Sequence, residues 1–327
     1  MSIKRLQLAA AAMVAIGLSI QGAHAGYIDE LQNTAGLISH WGMEETTGNT
    51  VADSVTTDSV DGDNPGTFNA GKGASLGASG PRPSDGFLGF SPSNNAISFA
   101  GGAGGANNTS PYVDPDHQGL LMDPTGYTGA SGLNAATLIM WFQITDSTEQ
   151  HYHLGGIQRD SSLGSGGRYG LAMNHYDDAG EGLRLFSRVG DPQASEQAMS
   201  TSNGASPDYY APSSGAASWH MAVATIGNDG SDKVMKLYVD GVLLDTEMSA
   251  GNAGLNLSTR DSIIFGQDSD LDNGRQMVGQ LDEIAFFDRA LSGEEITHLY
   301  NAAVVPEPGT GVAMLLGLSL LALRRRV

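Results

Sequence analysis

The sequence predicts an all-β fold in which two antiparallel sheets pack face to face, with one short helix near the C-terminal end of the domain. Short segments rich in β-branched and aromatic residues recur along the chain, separated by clusters of Gly, Asn, Asp, Ser and Pro. Glycine accounts for 45 of the 327 residues without a collagen repeat, which indicates many turns. Long helical periodicity is absent, so the apolar strand faces must cover one another.

Ten segments are predicted to be strands, and three polar stretches between them are predicted to be loops without a core. In the strand 234–239 apolar residues alternate with polar or amphipathic ones before Asp240-Gly241, a pair typical of a tight hairpin. Ser292 and Glu295 have the spacing of a capping box, which predicts a helical turn through Tyr300. The predicted strands are 37–43, 96–99, 137–144, 152–157, 169–174, 183–187, 219–225, 234–239, 262–266 and 280–287. The predicted loops are 46–90, 101–132 and 191–218.

Composition excludes several classes of function. The formal net charge is −20, so the protein repels phosphate backbones and no nucleic-acid partner is expected. The absence of cysteine excludes disulfides, thiolate metal sites and cysteine nucleophiles. No organic cofactor is expected. A hard cation remains a candidate, because an acidic protein attracts divalent ions.

Residues 1–25 have the features of a secretory signal peptide. Lys4 and Arg5 precede an apolar run, and Ala23-His24-Ala25 forms a small-x-small site that predicts cleavage between Ala25 and Gly26. The apolar run is shorter than the roughly 20 residues of a membrane-spanning helix. The mature domain is therefore predicted to comprise residues 26–303.

Residues 304–327 are predicted to be a sorting segment. Pro306-Glu307-Pro308 precedes an apolar stretch at 311–323 and a basic tail of Arg324, Arg325 and Arg326. This order resembles the PEP-CTERM signal of Gram-negative bacteria that make extracellular polysaccharide. The resemblance implies secretion, transient anchoring in the inner membrane through an apolar helix, cleavage by an exosortase, and release to the cell surface or extracellular matrix. Residues 26–305 carry 11 basic and 35 acidic residues, a net charge of −24.

The body of the chain resembles the LamG-like, concanavalin A-like jelly-roll domains. The segments that carry the resemblance are GLISHWGMEETTGNTVADS, TLIMWFQI, SWHMAVATIG, MKLYVDG, IIFG and VGQLDEIAFFDRALSGEEITHLYN, in that order between residues 36 and 302. The resemblance implies a curved two-sheet sandwich, a calcium ion at one edge in many members, and binding of glycans or proteins. Because this family shares a fold more than a function, the implied function is general.

The resemblance assigns calcium candidates. Asp53, in the loop after the first strand, and Asp282, in the segment Gln280-Leu281-Asp282-Glu283, occupy the family's positions, with Glu44 as a third candidate. Carboxylates on loops are the donors that calcium prefers. The alternative is that Asp282 and Glu283 are solvated charges or bond to turns.

Other motifs lack the context that their chemistry needs. Asp268–Gly274 starts like an EF-hand loop, but the glycine comes one place late, so a polar hairpin loop is predicted. His151 and His153 share one strand face as a zinc pair would, but no third ligand is evident and exposed histidines are predicted. A G-x-S-x-G match at 73–77 lacks a nucleophile elbow. No E-x-D-x-x-E spacing of sandwich glucanases occurs, so no catalytic residues are assigned.

Aromatic residues offer a binding surface instead. Trp41, Trp141 and Trp219 lie in predicted strands and are expected to be buried. Tyrosines in the long loops are better placed to stack on a sugar ring. These are Tyr112, Tyr127, Tyr209 and Tyr210.

The sequence favours a secreted, surface-sorted, non-catalytic protein whose partner is extracellular polysaccharide. Two alternatives stay open. One is a polysaccharide-degrading lyase or hydrolase on the same fold. The other is a structural surface protein that binds copies of itself.

Overall fold

A computed structural model of the chain describes residues 26–55, 64–69, 71–101, 119–122, 135–145, 151–159, 169–176, 183–187, 197–200, 218–230, 232–250, 261–267 and 276–304. The strands of this part are β1 (Leu37–Trp41), β2 (Thr50–Val51), β3 (Gly66–Thr67), β4 (Ala74–Ser79), β5 (Asn95–Ala100), β6 (Leu120–Met122), β7 (Ala136–Ile144), β8 (His151–Arg159), β9 (Tyr169–Tyr176), β10 (Leu183–Ser187), β11 (Gln197–Ser200), β12 (His220–Asp229), β13 (Asp232–Val239), β14 (Val242–Ala250), β15 (Asp261–Phe265) and β16 (Val278–Phe287). The helices are α1 (Tyr27–Asn33) and α2 (Gly293–Val304).

The described strands form two antiparallel sheets of eight strands each. Sheet A has the order β14-β13-β12-β7-β16-β5-β4, and β1 also pairs with β16. Sheet B has the order β11-β10-β9-β8-β15-β6-β3-β2. Neighbours in each sheet are far apart in sequence at several points, as a jelly-roll topology requires. The prediction of a two-sheet antiparallel sandwich is confirmed.

The main core lies between the two sheets. Strand β7 contributes alternate side chains to it, including Leu138, Met140 and Phe142, and β15 of sheet B contributes Ile263 and Phe265. Inward side chains alternate with outward ones because the pleat has a period of two residues. The interface between the sheets is therefore filled by apolar side chains from both.

A second core covers the outer face of sheet A. Ile139 and Trp141 point to this side of β7 and pack with Tyr27 and Leu31 of α1 and with residues of α2. The α2 residues in this cluster are Ile296, Leu299 and Ala303. Trp141 is fully buried, with the Phe87 and Phe90 rings each 5.1 Å from its ring. Sheet A is thus the middle layer of three, and the predicted burial of Trp41, Trp141 and Trp219 is confirmed.

The prediction that 46–90 is a loop without a core is wrong. This stretch contains β2, β3 and β4, and it buries Phe68 in the core between the sheets and Phe90 in the second core. The strands were missed because they are short and rich in Gly, Ala and Ser, whose side chains carry little β signal. The G-x-S-x-G match at 73–77 overlaps β4.

The predicted loops 101–132 and 191–218 are also wrong in part. The first contains β6, whose Leu120 is buried in the core between the sheets, and the second contains β11.

Helix α1 was also not predicted. Its seven residues are too few to show a helical period, and its stability comes from burying Tyr27 and Leu31. The predicted helix near the end of the domain is confirmed as α2, which runs one residue past the predicted domain boundary at 303.

The capping box at the start of α2 is confirmed and extended by an arginine. The Ser292 backbone N–H donates to Glu295 Oε2 at 2.8 Å, and the Glu295 backbone N–H donates to Ser292 Oγ at 3.2 Å. Arg289 donates to both Glu295 oxygens, at 3.0 and 2.6 Å, and its Nε donates to the Ala35 carbonyl at 2.7 Å. Glu295 therefore joins the start of α2 to the chain that precedes β1.

We expect Glu295→Gln to lower the free energy of unfolding by about 1 kcal/mol at pH 7, because the amide loses the charge-assisted bonds of the cap. The hydrogen bonds from Arg289 lower the pKa of Glu295 to about 2. The stabilisation is therefore present above the unfolded pKa near 4.5 and is lost as the pH falls towards 2. Thermal melts at pH 7 and pH 2.5 measure both effects.

Glu294→Gln is the matched control for this measurement. Glu294 is exposed in the same helical turn. We expect its change in stability to stay within about 0.5 kcal/mol at both pH values. Equal losses in the two variants would contradict the capping assignment.

Candidate functional site

A cluster of buried polar side chains lies where β1 meets β16. His40 on β1 and Asp282 and Glu283 on β16 are almost fully buried, as are Asp53 in the loop after β1 and Asn94 before β5. Buried polar groups need partners, since an unpartnered one costs about 1–3 kcal/mol. This cluster is therefore the candidate site.

The backbone of β16 brings the two acidic side chains into the cluster. The pairing of β16 with β7 shifts register between Asp282 and Ala285, and Glu283 has a φ of 49°. A residue with a left-handed backbone within a bulge interrupts the regular alternation of side chains between the two faces of the strand. This local irregularity lets the consecutive residues Asp282 and Glu283 both be buried.

His40 is the centre of one half of the cluster. Its Nε2 lies 2.5 Å from Glu283 Oε2, and its Nδ1 lies 2.8 Å from the Oγ of Ser54. Its backbone N–H donates to Asp53 Oδ1 at 2.9 Å, and the Ser54 backbone N–H donates to the His40 carbonyl at 2.8 Å. These contacts join the loop after β1 to the last strand of sheet A.

Asp282 and Asn94 form the other half. Asp282 Oδ2 accepts from Asn94 Nδ2 at 2.7 Å, and its Oδ1 accepts from the Glu283 backbone N–H at 2.8 Å. A Cβ at Gly80 would lie 2.6 Å from Asp282 Oδ2 and 2.5 Å from Asn94 Nδ2. Only glycine therefore leaves room for this pair.

Burial controls the protonation of the cluster. It lowers the pKa of His40 to about 4, against the opposing effect of the nearby Asp53 carboxylate. Burial also raises the pKa values of Asp282 and Glu283 well above their usual range, and the adjacent negative charges raise them further. Burial likewise raises the pKa of the partly exposed Glu44. The site therefore disfavours charge on His40 and on the two acids alike.

The side chains predicted to bind calcium already accept hydrogen bonds from protein groups in this arrangement. Both oxygens of Asp282 already accept from protein N–H groups, and Asp53 Oδ1 accepts from the backbone N–H groups of His40 and Val55. Glu44 Oε2 lies 3.3 Å from Asn95 Nδ2. Within the described ranges, no three His, Asp or Glu side chains are grouped so that they could hold a metal ion. Calcium at Asp53, Asp282 and Glu44 stays a prediction from the resemblance, and the bonds that these carboxylates already accept argue against it.

Several predicted site residues lie outside the described residues. These are Ala25, the loop tyrosines Tyr112, Tyr127, Tyr209 and Tyr210, the hairpin 268–274, and the sorting residues Pro306, Glu307, Pro308, Arg324, Arg325 and Arg326. Gly26 is described and precedes α1. Within the described part of the chain, no helix is long and apolar enough to cross a membrane.

The prediction of an exposed histidine pair is wrong for His153. Its side chain is fully buried on β8, which lies between β9 and β15 in sheet B.

Sequence reasoning missed His40, Ser54 and Asn94 as members of the cluster. One signal was available, because His40 is a polar residue inside the otherwise apolar strand β1. A polar residue in a buried strand needs a partner, but the sequence does not say which one. The partner, Glu283, is 243 residues away.

Comparison with known proteins agrees with the fold. A family model described as the concanavalin A-like lectin/glucanases superfamily matches residues 124–297. A solved structure of Trypanosoma rangeli sialidase is similar with a TM-score of 0.47 and 15% identity, over 91% of this chain and 39% of that chain. The receptor binding domain of botulinum neurotoxin D is similar with a TM-score of 0.48 and 14% identity, over 83% of this chain and 53% of that chain. This chain thus spans between two fifths and just over half of these solved chains. No curated protein sequence matches it.

We expect stability to depend on His40 below neutral pH. Folding disfavours its protonation, so the contribution of neutral His40 is present above its unfolded pKa near 6.5 and is lost as the pH falls through about 4. The loss is at most about 3 kcal/mol. Asp282 and Glu283, with raised pKa values, act in the opposite sense, because their contribution is full below about pH 4 and is lost as the pH rises.

The difference in unfolding free energy between wild type and His40→Gln separates the two effects. Both proteins retain the acidic pair, so the difference reports His40 together with its contact to Glu283. We expect wild type to lose stability relative to His40→Gln between pH 7 and pH 4, measured by urea denaturation. A constant difference across this range would contradict the assignment.

We also expect Glu283→Ala to destabilise the protein by about 2–4 kcal/mol, because it leaves His40 Nε2 buried without its partner and opens a cavity. Glu283→Gln, which keeps a hydrogen-bonding group at this position, should cost about 1 kcal/mol or less. Glu294→Ala, at an exposed position, is the control for loss of a carboxylate. Chemical denaturation at pH 7 measures all three, and equal losses in the two Glu283 variants would refute the pairing.

Because the carboxylates already have protein donors, we expect the melting temperature to be the same in millimolar calcium and in EDTA. A ligand that binds only the folded state must raise it. A rise with calcium in wild type that disappears in Asp282→Asn would instead show that Asp282 is a calcium ligand.

Proposed function

This chain belongs to the concanavalin A-like lectin/glucanases superfamily, and we propose that it is a non-catalytic carbohydrate-binding protein of the bacterial cell surface or extracellular matrix. The observation that carries the proposal is the superfamily match on a two-sheet sandwich in which helices cover one outer face. Because α1 and α2 occupy the outer face of sheet A, ligand binding is assigned to sheet B and the loops that adjoin it.

The loop tyrosines are the proposed sugar contacts. Each of their segments connects a strand of sheet B to a strand of sheet A, since residues 102–118 link β5 to β6, residues 123–134 link β6 to β7 and residues 201–217 link β11 to β12. An aromatic ring can stack on the apolar face of a sugar and bond through its hydroxyl. The proposed contacts are Tyr112, Tyr127, Tyr209 and Tyr210.

Burial of the acidic pair supports a binding rather than a catalytic role. Glycoside hydrolysis uses two carboxyl groups that flank the scissile bond in an open cleft. In the described part of the chain, Asp282 and Glu283 are 0% and 1% exposed, and both are bonded within the cluster. Substrate cannot reach this pair without unfolding the end of β16.

The proposed location follows from the two ends of the sequence. A signal peptide at 1–25 directs export, and the segment at 304–327 is proposed to hold the chain transiently in the inner membrane for cleavage by an exosortase. Bacteria with this sorting system make extracellular polysaccharide, so the polysaccharide of the producing cell is the proposed ligand.

Self-association is a second candidate, supported by the edge of sheet A. Strand β14 lies at this edge and exposes Val242 (61%), Leu243 and Met248. An exposed apolar edge strand is a surface on which another strand can pair. The acidic residues Asp245 and Glu247 on the same strand oppose pairing between two copies, so this candidate ranks second.

The test is binding of the purified full-length protein to the producer's own polysaccharide, measured by pull-down and on a glycan array. We expect Tyr209→Ala and Tyr210→Ala each to weaken binding about two- to tenfold, because stacking is worth about 0.5–1.5 kcal/mol. His298→Ala, on the helical face of sheet A, is the control and should bind as wild type does.

Absence of binding to any glycan would overturn the proposal. Concentration-dependent assembly in analytical ultracentrifugation, lost in Leu243→Asp, would then support self-association. Cleavage of an acidic glycan would instead support a degrading enzyme on this fold.

A further inference from the structure

The chain enters and leaves the folded body at one place. The Tyr27 backbone N–H, at the start of α1, donates to the Gly89 carbonyl at 3.2 Å. The Gly89 backbone N–H donates to the Ala303 carbonyl, in the last turn of α2, at 2.9 Å. A single residue therefore bridges the first and last helices.

This bridge is closely packed and belongs to the core. A Cβ at Gly89 would lie within 2 Å of the Ala302 carbonyl oxygen, and one at Gly26 would lie 2.5 Å from the Gly89 carbonyl oxygen. Tyr27 is fully buried, its ring stacked 5.0 Å from Phe90. The end of α2 is thus held on the outer face of sheet A and is not a frayed terminus.

Only a short length of chain separates this point from the proposed membrane segment. Residues 305–310 lie between the end of α2 and the apolar stretch that starts at Gly311. Six residues and their flanking bonds span at most about 25 Å when fully extended. The end of α2 must therefore remain within about 25 Å of the bilayer while the apolar stretch is inserted.

Residues 305–310 act as a tether between α2 and the apolar stretch. The folded body is too thick and too wide to turn its opposite face towards the membrane on so short a tether. The two sheets are about 10 Å apart and the helical layer adds about 10 Å. Strands are spaced about 4.8 Å apart, and α2 ends close to Trp141 on the central strand β7. To bring the outer face of sheet B to the membrane, the tether would have to run to the sheet edge and down the side, a path of about 35 Å.

We propose that the helical face of sheet A docks on the lipid bilayer while the sorting segment holds the chain, so that sheet B faces outward. This inference rests on the sorting segment of the proposed function, and it adds which face of the protein lies against the membrane. Leu88, an exposed apolar residue next to Gly89, lies on the helical face where it can enter the lipid interface. The net charge of −24 on residues 26–305 opposes tight binding to anionic lipid, so the tether supplies the attachment.

Because the chain contains no cysteine, single cysteines can report the orientation. The mature chain, residues 26–327, is reconstituted in phosphatidylcholine vesicles that contain a headgroup spin-labelled lipid, and a fluorophore is attached at one site. His298→Cys on α2, at a position that is 67% exposed, reports the helical face. Thr67→Cys on β3 reports the outer side of sheet B, because Thr67 is exposed and the next residue, Phe68, points into the core. We expect quenching by the lipid spin label to be several-fold stronger at residue 298 than at residue 67.

A longer tether tests the physical cause. Insertion of about 15 Gly and Ser residues after Val304 extends the tether to roughly 80 Å, which allows the body to turn over. We expect the quenching at the two sites to become similar in this variant. A preference for residue 298 that survives the insertion would overturn the tether as the cause.

Equal quenching at both sites of wild type, or stronger quenching at residue 67, would overturn the orientation. Leu316→Asp with Leu320→Asp in the mature chain removes the apolar stretch as an anchor and should abolish quenching at both sites. Polysaccharide binding in solution is measured without vesicles, so its failure and the failure of the orientation are separate results.

Discussion

The fold depends on one constraint, which is that sheet A must bury both of its faces. Its strand β7 is buried at eight of nine positions, so alternate side chains point into two different apolar layers. One layer is shared with sheet B and the other with α1 and α2. A sheet that is apolar on both sides is stable only between two covering layers, and the helices at the two ends of the domain supply the second one.

The buried polar cluster completes the same layer at one end. His40 and Glu283 connect the first strand to the last, and Asp282 and Asn94 connect the last strand to the turn before β5. Removing such groups from water costs free energy, and the short hydrogen bonds between them offset this cost without leaving a charge exposed. The cluster therefore acts as a structural joint between distant parts of the chain, and it explains why the acidic pair is conspicuous in the sequence yet inaccessible in the fold.

The same layering assigns different roles to the two sides of the molecule. In the described part of the chain, the helices cover the outer face of the inner strands of sheet A, and the chain enters and leaves on this side at Gly26, Gly89 and Ala303. The other side is formed by sheet B, whose strands are joined to those of sheet A by the tyrosine-bearing segments. In the proposed function, attachment and ligand binding therefore use different sides of the molecule. This division follows from where the helices pack and requires no catalytic chemistry.

The sequence by itself determined the all-β class, the ten clearest strands and the capped helix α2, because these depend on local period, on β-branched and aromatic content and on the spacing of Ser292 and Glu295. It did not predict β2, β3, β4, β6, β11, β14 or α1. Of these, β2, β3, β4 and α1 have weak local preferences and are stabilised by the layers they contact. Only the tertiary structure decided that His40 pairs with Glu283, that Asp282 pairs with Asn94 and that His153 is buried. The physical reason is that a polar residue in an apolar strand shows that a partner is needed, whereas its identity depends on the pairing of strands that lie far apart in the sequence.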